Sequence, residues 1–271
     1  MSDPSAAGPE SRARSDRIPA VVLTLDRGNS TLDARCAGCD PPRQRFVPDA
    51  ELAGRLERWL GAVRPDVAVG VTVVPDGLAV VRPVLDARGV ALVLAGVDLP
   101  CPLTIAYDDP STLGRDRWLG ALAAVRRHGD AVVLDCGTAL TVNAVAVGDR
   151  FLGGSIGLGL RSTGDALAMR APALPRFDGH VPAAMPAGSS LDAVRAGVGF
   201  GVVAGALALV ERAVAAFGSA SVTRVVTGGD AAWFLSICAA LDPDAAHAFV
   251  AEPELVHDGL VALWRGSQPN S

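Results

Sequence analysis

Two apolar runs in this chain end in a carboxylate and then turn through glycine. Val21-Val22-Leu23-Thr24-Leu25 leads into Asp26-Arg27-Gly28-Asn29-Ser30-Thr31, and Val132-Val133-Leu134 leads into Asp135-Cys136-Gly137-Thr138. Such turns suit phosphate chemistry. Gly28 lets a ligand approach the backbone with no Cβ in the way, and consecutive N–H groups in a tight turn cradle phosphate oxygens. Asp26, at a strand end, can hold a Mg2+, usually through the ion's waters. A third turn, Val226-Thr227-Gly228-Gly229-Asp230, leaves room for an adenine or ribose face against the backbone. The fourth group is Tyr107-Asp108-Asp109-Pro110, followed by Leu113-Gly114-Arg115-Asp116-Arg117. Asp116 falls near a predicted helix start, where the dipole favours the ionised carboxylate. There it can accept an alcohol proton during phosphoryl transfer, with Arg117 pairing an anionic group of the substrate. Taken singly, each motif also fits a plainer role as a strand end or as a helix start with a surface ion pair.

The elements that hold these groups follow from hydrophobic periodicity. Residues 20–25 predict a buried strand with 31–36 as its hairpin partner, then a helix over 48–63 and a strand over 67–71. A helix over 76–87, a strand over 91–94 and a strong helix over 113–128 complete the first half. A second unit begins at residue 131 with strands at 131–134, 139–147 and 150–156, the last two joined through Gly148-Asp149. Residues 171–190 are rich in Pro, Gly and Ala and predict a long loop or flap. The longest helix follows at 191–217, then a strand at 222–226 and a helix at 229–241. Strand and helix in turn give an α/β fold with a boundary near residue 130. The matching starts at Asp26 and Asp135 point to an internal duplication.

Composition narrows the field further. Of 271 residues half are hydrophobic and 20% charged, so a core is affordable and wholesale disorder is excluded. The net charge of −5 and a 4% aromatic content speak against a nucleic-acid or acidic-membrane binder. All 24 basic residues are arginine. Residues 1–17 lack the apolar centre of a signal peptide and read as a disordered tail. The charge-free apolar stretch 196–210 is too short for a membrane span, and the five cysteines form no secreted disulfide framework. A cytoplasmic protein is expected. Cys36-Ala-Gly-Cys39 has metal-like spacing but no second pair, and the four histidines lack ligand spacing.

In order along the chain stand Asp26-x-Gly-Asn-Ser, Tyr107 with Gly114-x-Asp116-Arg117, Asp135-x-Gly-Thr138, Phe151-Leu-Gly-Gly154 and Thr227-Gly-Gly-Asp230. This series resembles the type III pantothenate kinase family, within the acetate/sugar kinase–Hsc70–actin superfamily, over about residues 18–265. The resemblance implies two duplicated actin/ribonuclease-H-like domains, 18–130 and 131–271, with a nucleotide cleft between them. It implies ATP-dependent phosphorylation of pantothenate to 4'-phosphopantothenate, the first step towards coenzyme A. Asp116 then matches the general base. Asp26, Gly28, Asn29, Ser30, Thr31, Asp33, Thr138, Gly228 and Gly229 match the ATP site. Tyr107, Gly114, Arg115, Arg117 and Ser190 match pantothenate contacts, with Arg117 on the carboxylate. Asp26 matches the Mg2+ site, through water, and Asp135 the monovalent-cation site, for K+ or NH4+. The resemblance also implies a homodimer with the substrate site near the subunit interface.

The chain departs from that pattern at one charged position. The family motif continues Asn-Thr-x-x-Lys, whereas here Asn29-Ser30-Thr31-Leu32 leads to Asp33. An anion beside a polyphosphate repels by roughly 1 kcal/mol in water at contact distance, and by more at a drier surface. Arg35, two residues along the same predicted strand and hence on the same face, is the expected compensating cation. Leu158 also stands where the family has proline. Two alternatives to the kinase therefore stay open: an impaired homologue acting as a nucleotide- or pantothenate-binding regulator, and a kinase for a related small hydroxy acid.

Overall fold

The computed structural model describes residues 21–218 and 221–268; the tail expected at 1–17 lies outside the described residues. The first three strands, β1 (Val22–Arg27), β2 (Leu32–Cys36) and β3 (Arg43–Phe46), form an antiparallel meander. Helix α1 (Leu52–Leu60) then leads to β4 (Val67–Thr72), which pairs parallel with β1, and α2 (Arg82–Asp86) leads to β5 (Ala91–Leu94). β4 is buried from Val67 to Val71, the continuous apolar run of a parallel strand covered on both faces. Next come β6 (Thr104–Ile105) and α3 (Arg115–His128). β6 lies before residue 130 yet pairs with a strand of the second sheet.

That sheet opens with a second meander, β7 (Ala131–Cys136), β8 (Ala139–Ala146) and β9 (Arg150–Leu158). It is followed by α4 (Leu160–Arg170), α5 (Ser190–Arg195), a π-helical turn at Ala196–Phe200 and α6 (Gly201–Ala215). The chain closes with β10 (Thr223–Thr227), α7 (Ala231–Leu241), α8 (Pro243–His247), β11 (Phe249–Ala251) and α9 (Leu255–Gly266). The strand orders are β3-β2-β1-β4-β5 and β9-β8-β7-β10-β11, with β6 added outside β9. One topology is thus used twice, the duplication expected of an actin/ribonuclease-H-like pair.

Helix α3 is buried from Arg117 to Val125 because it lies against α9 between the sheets, within one core that includes Val69, Leu119, Val133 and Leu260. The helices approach so closely that a Cβ on Gly259 would lie 2.2 Å from the Leu119 carbonyl oxygen. Separate cores cover the outer face of each sheet. Residues 171–189 contain no helix or strand, as their composition predicts. The helix expected over 76–87 splits into a 3-10 turn at Ala79–Val81 and α2. The apolar helix is longer than its charge-free stretch: residues 190–215 form a 26-residue helical run with the length and apolarity of a bilayer span. Val203, Ala206 and Val210 bury one face of it in the core of the second sheet.

Candidate active site

β1 and β7 end side by side at the cleft between the lobes, each delivering its terminal carboxylate, Asp26 and Asp135. Asp116, in the first turn of α3, is the third carboxylate there. Burial, then the charges of Asp116 and Asp135, push the Asp26 pKa from 3.8 to about 7. Burial, then Asp116, push Asp135 to about 7 as well. Asp116 is also raised by burial, although Oδ1 accepts a 2.9 Å hydrogen bond from the Arg117 N–H. The helix start was expected to favour the ionised form; burial outweighs it, which makes Asp116 a better proton acceptor once ionised.

The glycine turns surround these groups. Gly28, Asn29, Ser30 and Thr31 line one wall of a cleft of about 430 Å³, with Thr138 and the Gly228-Gly229 turn opposite. Ser30 Oγ and Thr138 Oγ1 lie 3.3 Å apart across the lobes. Gly228 has φ +97°, and a Cβ there would lie 2.4 Å from both Asp135 Oδ1 and the Cys136 carbonyl oxygen, so only glycine fits.

Beside Asp116, Arg117 is 8% exposed. Its Nε donates to Asn143 Oδ1 at 2.7 Å, its Nη1 donates to Tyr107 Oη at 3.1 Å, and its guanidinium lies over the Phe151 ring. Its Nη2 is buried with no partner among the described residues. A buried charged donor of this kind can bind an anionic group.

Asp33 does not confront the cleft as a bare charge. It is 6% exposed, and Arg43 grips it with Nε and Nη2 at 2.9 and 2.8 Å. Arg45 Nη2 donates at 3.2 Å, and His257 Nε2 lies 3.2 Å from Oδ1. Burial alone would raise this carboxyl, but the His257 and Arg43 hydrogen bonds hold it well below the usual carboxylate range. The expected repulsion is therefore already compensated, and not by Arg35, which is tied to Glu254 and Asp258.

The sequence signature of type III pantothenate kinase matches residues 22–216. The chain is 34% identical over 214 residues to the type III pantothenate kinase of Rubrobacter xylanophilus, covering 76% of this chain and 78% of the relative. The chain belongs to the type III pantothenate kinase family. A second relative of that name, from Rhodopirellula baltica, is 40% identical over 169 residues, covering 61% of this chain and 59% of its own length. Among solved structures, a Baf family transcriptional activator from Campylobacter jejuni superposes with a TM-score of 0.57 at 19% identity, covering 90% of this chain and 98% of its own. That likeness shows the fold alone.

Not all residues matched to the pantothenate kinase site meet in one chain. Gly114 and Arg117 flank Asp116, and Tyr107 is bound to Arg117, but of these four only Asp116 lines the cleft; a Cβ on Gly114 would lie 2.7 Å from Asp116 Oδ1. Arg115 instead lies along Gly96, and Ser190 is exposed on the first turn of α5; neither lines the cleft. Sequence reasoning missed Arg43, Arg45, Asn143, Arg161 and His257. Arg161, from α4, reaches Asp230 at 3.4 Å and lies over the Trp233 ring on the cleft wall. The Cys36 and Cys39 thiols are buried, and burial pushes Cys36 up to about 12, which leaves it inert.

Proposed function

We propose that this chain transfers the terminal phosphoryl group of ATP to the primary hydroxyl of pantothenate, giving 4'-phosphopantothenate. The observation that carries the reading is the convergence of Asp26, Asp116 and Asp135 at one cleft between glycine turns. Phosphoryl transfer asks the protein for position and charge neutralisation rather than covalent chemistry. The turns at Gly28 and Gly228 receive the nucleotide, with Ser30 and Thr138 closing on it from both lobes. Arg117 Nη2 takes the carboxylate of pantothenate, with Tyr107 beside it, and this places the far hydroxyl by Asp116. Asp116 accepts the hydroxyl proton as the new P–O bond forms and the bond from the γ-phosphorus to the bridging oxygen breaks, with ADP as the leaving group.

Partly buried carboxylates that raise one another's pKa suit cations, so the donors fit the ions of the family. Among the described residues no three His, Cys, Asp or Glu stand close enough to cage an ion. Asp26 would therefore hold Mg2+ through water and Asp135 a K+ or NH4+. Bound there, the ions neutralise phosphate charge. We also propose a cytoplasmic homodimer, supported by the uncovered face of α6, where Gly201, Ala204, Gly205 and Ala208 are exposed and Leu209 is 41% exposed. The impaired-homologue alternative loses its motive, because Asp33 is neutralised by its arginines.

The test is mass-spectrometric detection of phosphopantothenate from purified protein with ATP, Mg2+ and K+, with Asp116→Asn alongside. Product from the parent and a loss of about a hundredfold or more in the variant are expected. No product from a folded parent would overturn the reading.

A further inference from the structure

Across three adjacent strands, Asp26, Asp33 and Arg45 occupy one rung: Asp26 on β1 is paired with Asp33 on β2, and Asp33 with Arg45 on β3. Side chains on one rung of a sheet share a face, so the pairing carries Arg45 to the cleft side, next to Asp33 and on the same face as Asp26. Arg43, two residues earlier on β3, shares that face, and both arginines line the cleft. Their guanidinium groups are not equivalent. Arg43 is fully engaged, with Nε and Nη2 on Asp33 and Nη1 on the Pro253 carbonyl oxygen at 3.0 Å. Arg45 spends Nε and Nη2 on Asp33 Oδ2, and its Nη1 has no partner among the described residues. That free edge crosses to the other lobe, where a Cβ on Gly229 would come within 2.9 Å of Nη1. Asp33 in turn is fixed from behind by His257, whose Nδ1 lies 2.8 Å from Thr24 Oγ1.

Two guanidinium groups and one carboxylate leave a single positive charge, placed on an edge strand and aimed at the Gly228-Gly229 turn. We propose that Arg45 binds the polyphosphate chain of the nucleotide through its free Nη1, spanning the two lobes, and that Asp33 with Arg43 is the positioning pair holding it there. The planar guanidinium suits this, because one edge can stay on the carboxylate while another N–H meets a phosphate oxygen. Asp33 thus serves phosphate binding indirectly, by anchoring its cation. The inference rests on the kinase reading only in taking ATP as the nucleotide.

Calorimetric titration of the full chain with ATP and with adenosine, no acceptor present, tests it. Arg45→Ala is expected to weaken ATP by about tenfold or more and to leave adenosine unchanged, with Arg45→Lys in between. Arg45 is half exposed, so the truncation leaves the core intact. Asp33→Asn should weaken ATP in the parent but add nothing in the Arg45→Ala background, a coupling that a purely structural role would not produce. Arg35→Ala, on the same strand but tied to α9, is the charge-matched control and should bind as the parent does. ATP affinity within about twofold of the parent for Arg45→Ala, or additive losses in the double variant, would overturn the proposal. A parent that binds ATP but forms no phosphopantothenate would sink the acceptor assignment and leave this one standing.

Discussion

Arg117 is a core side chain to which the proposed reading gives a second task. Its guanidinium sits 5.7 Å from the centre of the Phe151 ring, two of its nitrogens are satisfied by Asn143 and Tyr107, and the third has no partner among the described residues. A rigid, dry donor that needs no reorganisation to meet a carboxylate discriminates better than a surface arginine. Replacing it by lysine keeps a charge but removes the fork, so the Asn143, Tyr107 and substrate contacts cannot all be kept. Loss of a charged hydrogen bond is worth about 1.5–3 kcal/mol, so Arg117→Lys should raise the KM for pantothenate by about ten- to a hundredfold. The KM for ATP should hold. Initial rates with each substrate varied in turn separate the two, and an unchanged pantothenate KM would remove Arg117 from the acceptor site.

At the scale of elements, the site exists because β1, β7 and α3 all point an end at one cleft, which forces three carboxylates together. Asp26 and Asp135 hold pKa values of about 7 in the fold against 3.8 ordinarily, so between about pH 4 and pH 7 the folded protein binds more protons than the unfolded one. Stability without metal should therefore fall as pH rises through that window and level off above it. A cation needs the ionised carboxylates, so Mg2+ should raise the melting temperature clearly at about pH 8 and little at about pH 5. Equal shifts at both pH values would mean that the ion is held elsewhere. These strand ends were legible in the sequence because a carboxylate followed by glycine after an apolar run is a local signal. β3 was not, since Arg43-Gln44-Arg45-Phe46 offers one apolar residue and lies at the sheet edge. Its arginines became readable only when pairing put them beside Asp33. α9 carries a periodic apolar face, but nothing in its sequence says that His257 turns inward to β2.

The whole molecule is one topology used twice, with the cleft at the seam and α3 packed on α9 behind it. One helix face that this arrangement leaves uncovered lies on the second lobe. α6 buries Val203, Ala206 and Val210, while its opposite side exposes glycine, alanine and Leu209 with open space beside Gly201 and Gly205. An apolar helix face of small residues admits close approach of another backbone, and a second copy of the chain is the occupant that the dimeric reading supplies. Ser190 stands at the other end of the same helical run, exposed and away from the cleft of its own chain. If it serves pantothenate, it does so across that interface. Gly205→Glu with Leu209→Glu adds charge where a monomer tolerates it, since both positions face solvent. The parent should sediment at twice the 27.6 kDa chain mass and the variant at once. The monomer should keep its affinity for ATP, whose proposed contacts lie within one chain, and lose affinity for pantothenate. A monomeric parent would end the dimer proposal, and a monomeric variant with an unchanged pantothenate KM would free the acceptor site from any need of a partner.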